Sequence, residues 1–186
     1  MSRFAIIDLP LPGLKRIERQ RVGDARGYLE RLFCAGELRA AGWTGSVAQI
    51  NHASTATKGT VRGLHFQLPP YAEAKLVSCI RGEVFDVAVD IRAGSPTFLR
   101  WHGERLSADN NCALLIPEGF AHGFQALSDA AELIYCHSAP YNAAAEGGLD
   151  PQDPRLGIDW PLPVAGLSVR DTGHPRLDSS FAGVSP

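Results

Sequence analysis

Apolar and polar residues alternate along residues 83–92. Glu83, Phe85, Val87, Val89 and Ile91 fall on one side, and Val84, Asp86, Ala88, Asp90 and Arg92 on the other. A period of two belongs to a β-strand with two different faces. The same rule in residues 61–67 sets Val61, Gly63, His65 and Gln67 on one face and Arg62, Leu64 and Phe66 on the other. The stretch 60–92 carries Arg62, His65, Gln67, Lys75, Asp86, Asp90 and Arg92 in what otherwise reads as core strands. A strand that places a His and an Arg beside core residues either exposes that face or uses it. A barrel interior holding one small ligand would use it.

The rest of the chain continues the pattern. Strands are predicted at 28–33, 46–51, 61–67, 74–80, 83–92, 97–105, 111–116, 120–127 and 131–138, with a short apolar stretch at 3–7. Turns fall at 24–27, 81–82, 93–96, 117–119 and 128–129, and 53–59 reads as a small-residue loop. One or two helical turns are predicted at 37–41, with Gly42 placed to stop them. Many short strands with turn signals every 8–12 residues or so predict an all-β sandwich or barrel. Residues 141–186 are rich in Pro, Gly and Asp and poor in apolar periodicity, so they predict an ordered wrap over the β core with a short helix. The expected organisation is one domain spanning residues 1–186.

Composition narrows the function. The 186 residues are 45% hydrophobic and carry a formal net charge of −2, which argues against nucleic acid or a membrane surface as the main partner. No apolar run approaches the roughly 20 residues of a membrane span, and the first residues lack the long apolar segment of a signal peptide. Cys34, Cys79, Cys112 and Cys136 form no CxxC pair. Zinc ligation is therefore not expected, and a reduced, cytoplasmic chain is the simplest reading.

Several residues could carry chemistry. Arg62, His65 and Lys75 on adjacent strands would repel one another unless a carboxylate or an anionic ligand joins them. Asp86, Asp90 and Asp171 are the candidate carboxylates. Pro117-Glu118-Gly119-Phe120-Ala121-His122 delivers a His onto a strand, much as the second motif of cupin barrels does. Metal-binding cupins use an H-x-H pair in the first motif, but here that segment is His65-Phe66-Gln67, a poor donor set for a catalytic metal. Tyr135 reads either as a core aromatic or as a site residue. Dinucleotide, P-loop and serine-hydrolase motifs have no counterpart here.

Taken together, Arg62-Gly63-Leu64-His65-Phe66-Gln67, Lys75-Leu76-Val77, the run from Gly82 to Arg92, Ser95-Pro96-Thr97-Phe98, the run from Ile116 to Phe124, and Leu167-Ser168-Val169-Arg170-Asp171 resemble the dTDP-4-dehydrorhamnose 3,5-epimerase family. The resemblance runs in order from about Asp24 to Asp171. It implies a mostly β, cupin-like jelly-roll barrel with a few short helices, no metal and no cofactor, and a homodimer. The implied substrate is a nucleotide-diphosphate sugar, and the implied reaction is epimerisation of a dTDP-4-keto-6-deoxyhexose at C3 and C5. By the same resemblance His65 is the general base held by Asp171, Lys75 stabilises the enolate oxygen, and Tyr135 is the acid on the opposite face of the sugar. Arg62, His122 and Arg170 would meet the diphosphate. Gln49, Asn51 and Glu146 would line the substrate pocket. Arg26, Tyr28 and Glu30 would reach the partner subunit's site.

The chemistry of a 4-keto sugar fits these residue types. Its acidic protons flank the carbonyl, a His has a suitable pKa to remove one, and an ammonium stabilises the charge that then develops on oxygen. Competing readings on the same scaffold are a C3-only epimerase, a non-catalytic sugar-nucleotide-binding cupin and a metal-dependent cupin oxygenase. The chain departs from the usual family pattern at Glu73, where Gln is common, and at Ala53 and Thr55, where Ser is common. It also has Leu99 at a usual Gly and Pro151 at a usual Trp.

Overall fold

The computed structural model describes residues 2–185. In chain order the elements are β1 (Phe4–Asp8), β2 (Lys15–Arg19), β3 (Val22–Asp24), β4 (Gly27–Leu29), α1 (Ala35–Leu38), a 3₁₀ turn at Arg39–Ala41, β5 (Gln49–Thr55), β6 (Val61–Gln67) and β7 (Lys75–Arg81). They continue with β8 (Glu83–Asp90), β9 (Trp101–Ser107), β10 (Cys112–Ile116), β11 (Phe120–Ala126), β12 (Ala131–His137), β13 (Glu146–Gly148) and α2 (Val169–Thr172). The strands form a six-stranded sheet in the order β1-β2-β10-β7-β12-β5 and a five-stranded sheet in the order β13-β6-β11-β8-β9, and β3 and β4 make a separate hairpin. The pairs between these strands are antiparallel. This is the cupin-like, mostly β architecture that the alternation and the family resemblance predict.

Both faces of each sheet are covered, which explains why so many strands carry unbroken apolar runs. Between the sheets, Val77, Leu114, Ile116 and Leu133 meet Val84, Ala88, Leu106 and Phe124. The outer face of the six-stranded sheet packs Ile17, Leu76 and Leu115 against Leu38, Ala41 and Trp43 of the helical turns. Gly42 ends those turns in the left-handed region, as its position suggests. The outer face of the five-stranded sheet packs Leu64, Val87, Val89, Ile91 and Ala121 against Leu149, Leu156 and Val184 of the C-terminal wrap. Each such aliphatic side chain contributes about 1.5–3 kcal/mol by leaving water. The alternation of β8 therefore separates two buried faces. Val87, Val89 and Ile91 look outward to the wrap, while Val84, Asp86 and Ala88 look into the barrel. Among the described residues no helix is long and apolar enough to cross a membrane.

Three local expectations are corrected, and one strand lies outside them. The strand predicted at 28–33 is only the short arm β4, because Tyr28 and Leu29 project into solvent and no neighbouring strand pairs with residues 30–33. The strand predicted at 46–51 starts at Gln49 and continues to Thr55, through part of the expected loop, because β12 pairs with it from His137↔Gln49 to Ala131↔Thr55. The strand predicted from residue 97 begins at Trp101. Residues 97–100 turn first, with Thr97 and Ser95 donating hydroxyl protons to Asp90 at 2.5 Å and Leu99 at φ 60°. Strand β2 was not foreseen, because its second inward side chain is the buried Arg19 and not an apolar residue.

The correction that shapes the site is in β6. His122 and Phe124 lie two apart on β11, yet their partners His65 and Arg62 lie three apart on β6. The additional residue in β6 is a bulge. It brings Arg62 and His65 into one pocket, where strict alternation would place them on opposite faces. Gly63 makes this possible. Its φ is +118°, and a Cβ there would lie 2.6 Å from Gly123 Cα and 2.7 Å from the His122 carbonyl oxygen. Gly63→Ala is expected to destabilise the fold by about 3 kcal/mol or more, read as a lower urea midpoint. An unchanged midpoint would mean that the two backbones do not need this approach.

Candidate active site

A cavity of about 500 Å³ opens between the two sheets. His65, Arg62 and His122 come to it from the five-stranded sheet, Lys75, Tyr135 and His137 from the six-stranded sheet. Asn51, His52, Gln67, Glu73, Tyr141, Glu146 and Arg170 complete its polar lining, and Ile50, Ala53, Phe66 and Phe124 its apolar lining.

His65 is joined to Asp171 across a gap of 106 residues in sequence, with Nε2 and Oδ1 2.7 Å apart. The short helix α2 delivers that carboxylate. Ser168 caps the helix by accepting the Asp171 backbone N–H at 3.0 Å, which fixes the first turn and buries Asp171. Burial works against the Asp171 charge, but the hydrogen bonds from His65 and Ser168 hold its carboxyl below the usual range. An ionised Asp171 only accepts, so its bond to His65 requires the proton on Nε2, and the Arg170 Nη2 lying 2.9 Å from the same nitrogen is then a donor–donor contact and not a hydrogen bond. Burial pushes His65 down, Asp171 pushes it up, and the charges of Arg170 and Lys75 push it down again, leaving it below its ordinary value. The lowered pKa favours the uncharged ring, the form that acts as a base, at neutral pH.

Lys75 and Tyr135 face this dyad from the opposite sheet. Lys75 is buried, with Nζ 3.2 Å from Glu73 Oε1. The Tyr135 ring lies edge-on to His122, with centroids 5.9 Å apart, and burial drives its phenol upward so that it stays protonated. His122 Nε2 is 2.8 Å from Asp86 Oδ1 at the pocket floor. The open carboxylate assignment thus resolves as Asp171 with His65, Asp86 with His122, and Asp90 with Arg92. At the mouth, Arg170 contacts Glu146 at 3.1 Å, its Nη2 lies 2.9 Å from His65 Nε2, and Arg62 donates to the Ser54 carbonyl at 3.4 Å. Exposed guanidinium groups at a pocket rim suit a phosphate-bearing ligand.

The remaining predicted residues are placed as follows. Gln49 donates to Asn51 at 3.0 Å and accepts the Tyr141 backbone N–H at 3.0 Å. Glu146 on β13 also accepts from the Tyr141 hydroxyl at 3.1 Å. Arg26 pairs with Asp24 on the exposed hairpin, Tyr28 lies under the Arg21 guanidinium, and Glu30 contacts Arg19 and Arg21, all outside this chain's own pocket. Gln67, the residue at the cupin ligand position, is committed to the backbone. It donates to the Tyr71 and Pro140 carbonyls and accepts from the Asn142 N–H. His65, Asp171 and His174 bring donor atoms within 4.8 Å of one another, but the Arg170 guanidinium crowds that point with positive charge. Sequence reasoning missed His137 and Tyr141. His137 could have been found, because it lies two residues beyond Tyr135 and so shares its face.

A barrel with a His–Asp pair on one wall and a Lys and a Tyr on the other defines a cupin-like protein with a site built for proton transfer. The chain belongs to the dTDP-4-dehydrorhamnose 3,5-epimerase family, whose profile matches residues 8–179. A dTDP-4-dehydrorhamnose 3,5-epimerase of Shigella flexneri is 44% identical over 95% of this chain and 98% of its own. A dTDP-4-dehydrorhamnose 3-epimerase of Streptomyces niveus is 43% identical over 96% of this chain and 86% of its own. The crystal structure of dTDP-6-deoxy-D-glucose-3,5-epimerase from Legionella pneumophila in complex with dTDP-4-keto-L-rhamnose matches with a TM-score of 0.91 at 39% identity, covering 98% of this chain and 99% of that one.

The dyad generates a prediction independent of turnover. In an NMR titration the His65 ring should titrate below about 6.5. Asp171→Asn removes a contribution that raises the pKa, so the midpoint should move lower still. A midpoint that rises in the variant would mean that the carboxylate does not act on this ring.

Proposed function

We propose that the chain epimerises a dTDP-4-keto-6-deoxyhexose at C3 and C5, converting the dTDP-4-dehydro-6-deoxyglucose form to the dTDP-4-dehydrorhamnose form. The observation that carries this reading is the placement of the His65–Asp171 dyad on one wall and of Lys75 and Tyr135 on the other. Neutral His65 takes the proton from the carbon next to the carbonyl, and Asp171 stabilises the imidazolium that forms. The electron pair moves into the ring C–C bond, and the carbonyl electrons move to oxygen. The Lys75 ammonium stabilises that enolate oxygen, where charge develops in the transition state. Tyr135 then returns a proton to the carbon from the opposite face, which inverts the centre, His65 passes its proton to solvent, and the Tyr135 phenolate regains one from solvent. Arg62 and Arg170 at the mouth hold the diphosphate, and Asn51 and Glu146 line the route between mouth and floor.

A second reading keeps the same machinery but inverts C3 alone. It is favoured by the similarity to a 3-epimerase, which matches this chain about as well as a 3,5-epimerase does. We also take the protein to be a homodimer. The β3–β4 hairpin supports this, because it exposes Val22, Tyr28 and Leu29 together, with Tyr28 63% accessible, on an arm that projects from its own barrel. An arm of this kind suits docking at a neighbouring subunit's pocket.

The experiment is proton NMR of dTDP-4-keto-6-deoxyglucose with the enzyme in D₂O. Deuterium at C3 and C5 is expected, deuterium at C3 alone would select the second reading, and none at either carbon would overturn both. His65→Ala should abolish exchange, a loss of roughly 10²-fold or more, while dTDP binding by calorimetry is nearly unchanged. Tyr135→Phe should slow epimerisation more than exchange, since removing a proton and returning it to the same face needs only the base. Equal losses in both would give Tyr135 another role.

A further inference from the structure

Glu73 lies against Lys75 and has no part in the proton transfers above. Its two carboxylate oxygens are divided between two partners. Oε1 is 3.2 Å from Lys75 Nζ, and Oε2 is 2.9 Å from His137 Nδ1. The side chains of Glu73 and Lys75 are each only 9% accessible. Across the sheet, Lys75 stands opposite His137, which stands opposite Gln49.

The directions of these bonds are fixed by what each group can do. An ionised Glu73 accepts only, so His137 Nδ1 carries a proton and donates. In the neutral ring His137 Nε2 is an acceptor, and Asn51 Nδ2 lies 3.4 Å from it. Asn51 Oδ1 accepts from Gln49 Nε2 at 3.0 Å, and Gln49 Oε1 accepts the Tyr141 N–H at 3.0 Å. Each donor along this chain points toward one anion, Glu73, and the Lys75 ammonium meets that anion from the other side. Burial opposes the Glu73 charge, but His137 and Lys75 hold its carboxyl below the ordinary range.

We propose that Glu73 and His137 are positioning residues for Lys75. They fix the buried ammonium in the pocket wall and keep its remaining N–H groups free for the substrate oxygen. This rests on the epimerase reading. A buried ammonium with neither a counter-charge nor a hydrogen-bond acceptor would lose its proton or swing toward water. A buried carboxylate held on one side only could rotate away with it. His137 removes that freedom, and the Gln49–Asn51 chain in turn fixes the His137 tautomer. The arrangement acts on the rate of enolate formation and leaves nucleotide affinity to the rim.

The test compares Glu73→Ala, Glu73→Gln, His137→Ala and the Glu73→Ala/His137→Ala pair. Steady-state epimerisation, dTDP binding and thermal unfolding are measured for each. Glu73→Ala is expected to lower kcat roughly tenfold to a hundredfold, with KM and dTDP affinity changed less than about threefold in variants that melt as folded proteins. Glu73→Gln keeps one acceptor for the ammonium and should recover part of the loss. His137→Ala should cost less than Glu73→Ala, and the double variant no more than Glu73→Ala alone, because the two residues act as one unit. A loss confined to KM, a Gln variant no better than Ala, or additive losses would overturn the proposal. Nitrogen-15 NMR of the lysine ammonium groups provides a readout without turnover. A protected Lys75 signal should be present in the wild-type protein and absent in Glu73→Ala. Its persistence would overturn the positioning role, whereas a wild-type protein that exchanges no substrate proton would overturn the epimerase reading and leave the NMR comparison intact.

Discussion

The pocket depends on one close approach, that of Gly63 to Gly123. Strands β6 and β11 come together where neither carries a side chain, and the extra residue in β6 is absorbed there. Without it, pairing would follow a period of two, and Arg62 and His65 would point to opposite sides of the sheet. With it, the rim cation and the base enter one cavity. A Cβ at Gly63 would overlap backbone, which cannot give way as the end of a flexible side chain can. The local register of this strand is therefore a matter of exclusion, set by an atom that glycine lacks.

The second constraint is the cost of burying charge. An ammonium or carboxylate taken out of water is tolerated only when it is paired and hydrogen-bonded. The deep charges in this pocket are paired: Asp171 with His65, Asp86 through Oδ1 with His122, and Glu73 with Lys75 and His137. The rim cations Arg62 and Arg170 are more exposed and need less compensation. This gradation, with neutralised groups at depth and cations at the mouth, suits a ligand with a neutral keto sugar at one end and a charged diphosphate at the other.

Departures from the usual family pattern divide by consequence. Leu99 takes a left-handed conformation at φ 60°, which explains why glycine is common there, and its side chain packs on the outer apolar cluster. Pro151 accepts the Trp160 indole N–H at 2.9 Å through its carbonyl, a bond that a residue of any type at this position could make. Glu73 differs from both, because it sits in the pocket wall and touches Lys75 directly.

The alternation of apolar and polar residues determined by itself that the chain is mostly β, where most strands between Val61 and His137 run, and that residues 141–186 wrap a core instead of forming one. Local physics suffices for this, since period two and turn residues act over a few positions. The linear order of motifs also pointed to His65, Lys75, Tyr135 and Asp171. The resemblance assigned Asp171 to His65, 106 residues away, but only the tertiary structure decided that Asp86 meets His122 and Asp90 meets Arg92, because strand periodicity does not say which cation a buried carboxylate faces. It also decided that Arg62 shares a pocket with His65, since a bulge breaks the periodicity from which faces are read. Strand β2 stayed hidden for a related reason. Its inward Arg19 looks like a solvent-facing residue until the strand that pairs with it is brought across the sheet.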